Sequence, residues 1–540
     1  MSAHESSVPG GQDAVRRWLA DPATHGLEGP VQVVETHANL VFLAGPTAWK
    51  LKKAVRFPFL DYSTLERREA ACRREVERNA PAAPEIYRRA VPVTAPAGGG
   101  FALGGDGPAV EWLVEMARFD ETRTLDRVLA EGPLPEPLVA DLARSVAAAQ
   151  ALAPPRDAGP WIDDLARYVE QNDAAFRAEP DLFPPAAVAG LAAAARAWHG
   201  RIADLLAERG RLGTVRLLHG DLHAGNVVLV DGRPVVFDGI EFDDAIATAD
   251  LLYDAGFLVM DLDERGHRAE AALLLNRFLV ETVRHEARRG GDVADLLRRE
   301  TEALAALPFF LMMRAAIRAK VTAARAAAVG GPDAAALRRS ALGYFDAARR
   351  YLDPAEPVLV AVGGLSGTGK STLARRLAPL LGRAPGALHL RTDVIRKLLQ
   401  RAPEHEPLPP EAYAPERRAE VFDLIARLAR TGLAAGRAVV VDAVAARPEE
   451  RQAFARAAGA AQARFAGLWL EAPLDTRLGR VERRTADASD ADGSVVRVQD
   501  GYDLGPLDWI RVGSGGSPGE TFATARAALA RVGVPLSEPE

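Results

Sequence analysis

At 540 residues the chain is longer than one hydrophobic core spans, so roughly two to four domains are expected. A formal net charge of −6 gives no overall basis for binding nucleic acid or an anionic membrane, and a single cysteine, Cys72, excludes an internal disulfide framework. The apolar share of 48% and charged share of 26% are those of globular proteins rather than disordered or fibrous ones.

Residues Met1–Gly11 are Ser/Gly-rich and lack a basic stretch followed by an apolar one, so no signal peptide is expected. No apolar run approaches the ~18 residues that span a bilayer. With one cysteine, this points to the reducing cytoplasm. Lysine is scarce: of 67 basic residues only Lys50, Lys52, Lys53, Lys320, Lys370 and Lys397 are lysines. Where arginine supplies most positive charge, lysine marks places that need a compact, flexible cation.

In chain order, a helix is expected over 12–19, then strands over 31–35, 40–44 and 47–52, with Gly45-Pro46 as a turn. Alternation along the third strand puts Lys50 and Lys52 on one face. A helix over 63–78 carries Glu75, and strands return over 89–94 and 110–116. Five strands and one helix make a small lobe. From Thr124 the pattern is helical, interrupted by an apolar hairpin around Asp231-Gly232. Residues 353–357 read as a linker.

The segment His219-Gly220-Asp221 followed by Asn226 has the spacing H-x-D-x-x-x-x-N, and Asp238 follows on the next strand. Phosphoryl transfer of the kinase type uses such a set. Asp221 would orient and deprotonate an acceptor hydroxyl, while Asn226 and Asp238 hold Mg²⁺. Lys50 and Glu75 would form the ion pair that fixes the α- and β-phosphates of ATP. His37 and His223 are expected to be structural hydrogen-bonding groups. Arg314, Arg318 and Lys320 are expected on a solvated helix face, with an acceptor pocket as the alternative.

These residues give residues 31–350 a resemblance to the aminoglycoside phosphotransferase branch of the protein-kinase-like fold, carried by His219-Gly220-Asp221-Leu222-His223-x-Gly225-Asn226 and by Asp238. The resemblance implies an adenine-binding hinge near Glu115–Met116 and a buried brace for the catalytic loop at Asp250. Two features depart from protein kinases. The turn Thr36–Asn39 has no glycine, and Asp238-Gly239-Ile240 replaces Asp-Phe-Gly.

Beyond the linker, the apolar run Val358–Val362 leads into Gly363–Thr372, which reads G-x-x-x-x-G-K-S from Gly364 to Ser371. A strand, a glycine-rich turn and a helix start together make a phosphate cradle of backbone amides. Gly364, Ser366, Gly367, Thr368, Gly369 and Thr372 would surround the phosphates. Lys370 would reach the β- and γ-phosphates and Ser371 would hold Mg²⁺. Residues 387–393 read as a strand ending in Asp393, a candidate base, with Arg396 placed to grip a substrate. Asp442 ends the strand 438–442 as a second acid for the metal. Arg480 and Arg484, after a fourth strand over 465–470, look like lid arginines.

With Asp393 and Arg396, this half is similar to P-loop kinases of small molecules and of polynucleotide 5′-hydroxyls. Glu35-Thr36-His37, Arg318–Val321 and Asp487-Ala488-Ser489-Asp490-Ala491 extend the resemblance over nearly the whole chain. It is to a bacterial family of fused aminoglycoside-phosphotransferase-like and P-loop ATP-binding proteins, the latter AAA-type and similar to zeta toxins and gluconate kinases.

The expected architecture is α/β: a bilobal kinase-like domain over 12–352, with lobes near 12–120 and 121–352, then a P-loop kinase domain with a parallel sheet over 357–535. The expected function is ATP- and Mg²⁺-dependent phosphorylation, at two sites, of hydroxyls on a sugar, amino sugar or aminoglycoside-like metabolite. Two alternatives stand beside it: a nucleic-acid 5′-hydroxyl kinase in the C-terminal half, and a nucleotide-sensing regulator in one half. With aromatics at only 6%, stacking platforms for nucleic acid are sparse.

Overall fold

The computed structural model describes residues 11–57, 60–329, 331–484 and 487–538; residues 1–10, the polar N-terminal segment, lie outside it. The chain is mixed α/β. It divides into two compact units, one of Met1–Leu134, Ala148–Trp161 and Gly213–Asp254, the other of Pro135–Ala147, Ile162–Leu212 and Ala255–Glu540. Among the described residues no helix is long and apolar enough to cross a membrane.

The first unit is built on an antiparallel sheet of six strands: β1 (Gln32–Glu35), β2 (Asn39–Ala44), β3 (Thr47–Lys52), β4 (Tyr87–Thr94), β5 (Ala102–Leu103) and β6 (Ala109–Ala117), in the order β1-β2-β3-β6-β4-β5. The two-residue strand β5 goes beyond the expected five, because it is too short to show alternation. Helix α1 (Leu65–Asn79) covers one face.

The pleat of β3 decides what meets that helix. Ala48 packs with Cys72 of α1, whereas Trp49 and Leu51 pack on the opposite face against Val15 and Leu19 of the helix Gly11–Ala20. Lys50 and Lys52, in phase with Ala48, therefore point toward α1. Cys72 is fully buried, and burial pushes its thiol up to about 12, so it is a packing residue. Further along, β7 (Val227–Val230) and β8 (Arg233–Val236) form a hairpin whose turn residues Asp231 and Gly232 have φ of 49° and 78°. Both positive angles mark the two-residue turn that matches strand twist.

The second unit contains a five-stranded, wholly parallel sheet: β9 (Val358–Gly364), β10 (Leu388–Arg391), β11 (Val439–Asp442), β12 (Arg464–Glu471) and β13 (Ile510–Gly513), ordered β10-β11-β9-β12-β13. Alternate residues Val358, Val360 and Val362 join one core with Leu373, Leu377, Val440 and Leu468. The central strand β9 runs into the glycine-rich turn, so the turn and the ends of β10 and β11 share one sheet edge, where ligands bind in such sheets. Strand β10 stops at Arg391, and Asp393 lies instead in the first turn of helix α2 (Thr392–Leu399). No loop, glycine or proline separates strand from helix, so nothing in the sequence marks the end of the strand.

Gly467 of β12 faces the indole of Trp509, and a Cβ there would lie 2.4 Å from three ring atoms. Gly467→Ala is predicted to destabilise the second unit by about 2 kcal/mol, as overpacking of a full core does. A melting temperature lower by several degrees is expected in thermal unfolding; an unchanged one contradicts the packing described.

Candidate active site

In the first unit, Glu75 sits on the buried face of α1 with one carboxylate oxygen for each lysine of β3. Lys50 Nζ is 2.8 Å from Oε1 and Lys52 Nζ is 2.6 Å from Oε2. Lys50 also reaches Asp238 Oδ1 at 2.6 Å, while Lys52 donates to Glu241 Oε1 at 2.5 Å. Tyr62 donates its hydroxyl to the same Glu241 oxygen at 2.6 Å. Burial opposes the charge of both lysines, but the carboxylates beside them prevail and raise both above the usual ammonium range. Burial likewise opposes ionisation of Glu241, and Lys52 and Lys50 hold its carboxyl well below the carboxylate range. Sequence reasoning put Lys52 on the same face as Lys50 and chose between the two for the ion pair, whereas both take part; it missed Glu241 and Tyr62 as members of this network.

Asn79, one turn after Glu75, accepts from the Gly239 amide at 2.7 Å and donates to the Glu75 carbonyl at 2.9 Å. Tyr87 of β4 accepts the Asp238 amide at 3.0 Å. Asp238 is held at φ 63°, a left-handed conformation that aspartate tolerates better than most residues. The same helix face thus presents Glu75 to the lysines and anchors the segment carrying Asp238.

Around Asp221, the side-chain amide of Asn226 donates to the Asp221 carbonyl at 2.9 Å and lies 3.4 Å from Oδ2. His219 bridges the loop: Nε2 lies 2.9 Å from the Phe237 carbonyl and Nδ1 accepts the Asp221 amide at 3.3 Å. His223 Nδ1 accepts the Gly225 amide at 3.1 Å. The Gly220 amide goes to Asp254 Oδ1 at 2.9 Å, whereas Asp250 accepts the Thr214 hydroxyl at 2.7 Å. Glu115, near the expected hinge, is engaged by Arg88 and Arg89. Asn226 and Asp238 offer oxygen donors of the kind Mg²⁺ takes.

In the second unit, the turn after β9 is closely packed. Gly364 has φ 138°, and a Cβ would lie 2.7 Å from the Leu470 carbonyl; Gly367 has φ 84°, and a Cβ would lie 2.5 Å from the Arg477 carbonyl. Only glycine fits at both. A cavity of about 920 Å³ opens over this turn, lined by Ser366, Gly367, Thr368, Gly369, Lys370, Ser371 and Thr372, and also by Asp393, Arg396, Asp442, Arg480 and Arg484. It brings together every residue picked out in this half except Gly364, which shapes the turn from behind.

Lys370 donates to the Leu365 carbonyl at 3.1 Å; burial lowers its affinity for a proton, and Asp442 and Asp393 partly offset this. Arg480 Nη2 reaches the Gly516 carbonyl at 2.8 Å, and Arg484 reaches that of Ala491 at 2.6 Å. Arg396 lies over the Tyr413 ring at 4.8 Å. Asp442 Oδ2 is buried without a hydrogen bond, its charge met by the Arg391 guanidinium at 3.5 Å, so the oxygen keeps lone pairs of the kind Mg²⁺ takes.

Arg391 was passed over in sequence reasoning. It is the register partner of Asp442 at the end of β10, with Nε 3.5 Å from Asp442 Oδ2. Arg314 and Arg318 are not on a solvated face, as was expected. They lie over the rings of Phe257 and Tyr344, and Lys320 has its ammonium character weakened by burial.

Known proteins resemble both halves. The family described as phosphotransferase enzyme family matches residues 32–292, and an AAA domain matches 359–502. The uncharacterized proteins Rv2004c of Mycobacterium tuberculosis and Mb2027c of Mycobacterium bovis are each 30% identical over 480 residues, covering 86% of this chain and 89% of theirs. Among solved structures, a gluconokinase from Sinorhizobium meliloti matches at 22% identity and a TM-score of 0.24, over 33% of this chain and 93% of that one. An aminoglycoside phosphotransferase from Alicyclobacillus acidocaldarius matches at 13% identity and a TM-score of 0.35, over 65% of this chain and 96% of that one.

Lys52 is fully buried against two carboxylates and a phenol, so its part is structural. Lys52→Met is predicted to cost about 3 kcal/mol, since it strands Glu75 and Glu241 with one ammonium fewer. Thermal unfolding of the full chain checks this; a variant as stable as the parent contradicts the network.

Proposed function

The chain belongs to the family in which a phosphotransferase domain is fused to an AAA domain of the P-loop kinase kind, and from that premise we propose that it is a double kinase. Both halves are of kinase type, and transfer of phosphoryl groups is the chemistry they share. The proposed modules span 12–352 and 357–535. Each moves the γ-phosphoryl group of ATP to a hydroxyl of a small polar metabolite, in the class of sugars, amino sugars or aminoglycoside-like compounds.

In the first module Lys50, fixed by Glu75, binds the α- and β-phosphates. Asp221 accepts the proton of the acceptor hydroxyl as its oxygen attacks the γ-phosphorus. The bond from that phosphorus to the β–γ bridging oxygen breaks, and ADP leaves with the electron pair. Asn226 and Asp238 would hold Mg²⁺. In the second module the amides of Gly367–Lys370 and the Lys370 ammonium bind the phosphates, and Arg480 and Arg484 compensate charge on the transferring group. Asp393 accepts the proton and Arg396 orients the acceptor, while Ser371 and Asp442 would hold Mg²⁺. In both modules the metal neutralises phosphate charge when bound. ATP supply and the single buried thiol favour the cytoplasm as the place of action.

The observation that carries this reading is the Lys50–Glu75–Asp238 chain, at 2.8 and 2.6 Å, joined to the same loop system as Asp221 and Asn226. Its test is ATP consumption by the full chain across a panel of sugars, aminoglycosides and oligonucleotides. Asp221→Ala and Asp393→Ala should each remove a different acceptor-dependent activity by about 10³-fold while ATP still binds. Lys50→Met should weaken ATP binding at the first site. Acceptor-dependent turnover untouched by both aspartate variants would overturn the reading.

A further inference from the structure

The segment Asp487-Ala488-Ser489-Asp490-Ala491 has no part in the roles above, yet both of its acids close on bases of β10 and α2. Asp490 is the denser hub. Its Oδ1 accepts from Lys397 Nζ at 2.6 Å; its Oδ2 accepts from the Leu408 amide at 2.9 Å and from the Tyr413 hydroxyl at 2.5 Å. Lys397 is one of the chain's few lysines and is only 1% exposed. A single carboxylate therefore ties α2 to the connection 404–413. Tyr413 in turn carries Arg396 over its ring, and Arg396 donates to the Ala412 carbonyl at 3.1 Å. All of these side chains except Lys397 line the cavity over the phosphate turn.

Asp487 acts on the other base. The Arg391 guanidinium faces three carboxylates: Asp487 Oδ1 at 2.5 Å, Asp442 Oδ2 at 3.5 Å and Asp393 Oδ2 at 3.9 Å. Only the first distance is a hydrogen bond, so Asp487 fixes where the guanidinium points, although Asp442 and Asp393 pull on its charge more strongly. With Asp487 neutral, the guanidinium would be left to the other two acids. A closer ion pair with Asp393 would hold that carboxylate as a salt bridge and lower its use as a proton acceptor.

We propose that Asp487 and Asp490 are positioning residues of the P-loop site. Asp490 fixes the acceptor wall made by Lys397, Leu408 and Tyr413 and, through Tyr413, sets Arg396. Asp487 holds Arg391 off Asp393, so that Asp393 stays free to take a proton. The second half rests on the reading of Asp393 as the base; the first half does not.

Hydrogen–deuterium exchange on the full chain tests the wall without any turnover. In Asp490→Asn, peptides covering 404–413 should exchange about tenfold faster than in the parent, because the Leu408 amide and Tyr413 lose a charged partner. In Asp487→Asn the same peptides should exchange as in the parent. Equal rates in all three proteins at an unchanged melting temperature would overturn the wall, and so would a rise of the same size in both variants. If Asp490→Asn does not fold, Tyr413→Phe removes one of the same bonds and should give a smaller rise in those peptides; none would overturn it.

The base arm uses ATP hydrolysis, with water as the acceptor, in an Asp221→Ala background so that only the P-loop site turns over. Asp487→Asn should lower kcat about tenfold and leave KM for ATP within about twofold. An unchanged kcat would overturn the role of Asp487. A chain with no Asp393-dependent hydrolysis would sink the reading of Asp393 as the base and this arm together, yet the exchange arm would still decide the wall.

Discussion

A carboxylate in the dry interior has to be matched by positive charge, and Glu75 is matched twice, by Lys50 and by Lys52. Removing one partner of such a buried set costs about 3–5 kcal/mol, so the set over-determines the geometry around it. The consequence is a division of labour on one strand face. Lys52 is spent on Glu241 and Tyr62 and has no exposure, whereas Lys50 reaches outward to Asp238, whose side chain is 45% exposed. The interior lysine locks the register of strand against helix, and that lock presents the outer one.

The P-loop half buries charge as well, at Asp442 and Lys397, but shapes its phosphate turn with backbone. A parallel sheet places the ends of neighbouring strands side by side, so Arg391, Asp442 and the glycine-rich turn come together by register alone. Glycines that admit no Cβ bring the turn against Leu470 and Arg477, and the amides are aimed by packing. The two halves reach similar chemistry by different means: one from ion pairs across a sheet–helix interface, the other from the topology of a sheet edge.

Much of this was legible in the sequence because it is local. The spacing of His219, Asp221 and Asn226, the Asp231-Gly232 turn and the run from Gly364 to Ser371 each lie within a few residues. Lys50 and Lys52 on one face followed from alternation, but which of them is interior did not. Glu241 lies 189 residues from Lys52, and no pattern in one sequence links them. Arg391 and Asp487 are likewise 96 residues apart. Strand β13 escaped notice because it has four residues and follows a stretch rich in glycine and proline. Arg314 and Arg318 were misjudged because a charge on a helix looks solvated until an aromatic ring is found beneath it.

Two phosphate-binding sites in one chain make a countable claim. Isothermal titration of the full chain with a non-hydrolysable ATP analogue and Mg²⁺ should give two nucleotides per chain, with Lys50→Met removing one and Lys370→Met the other. A stoichiometry of one in the parent, or both sites lost with either substitution, would contradict it.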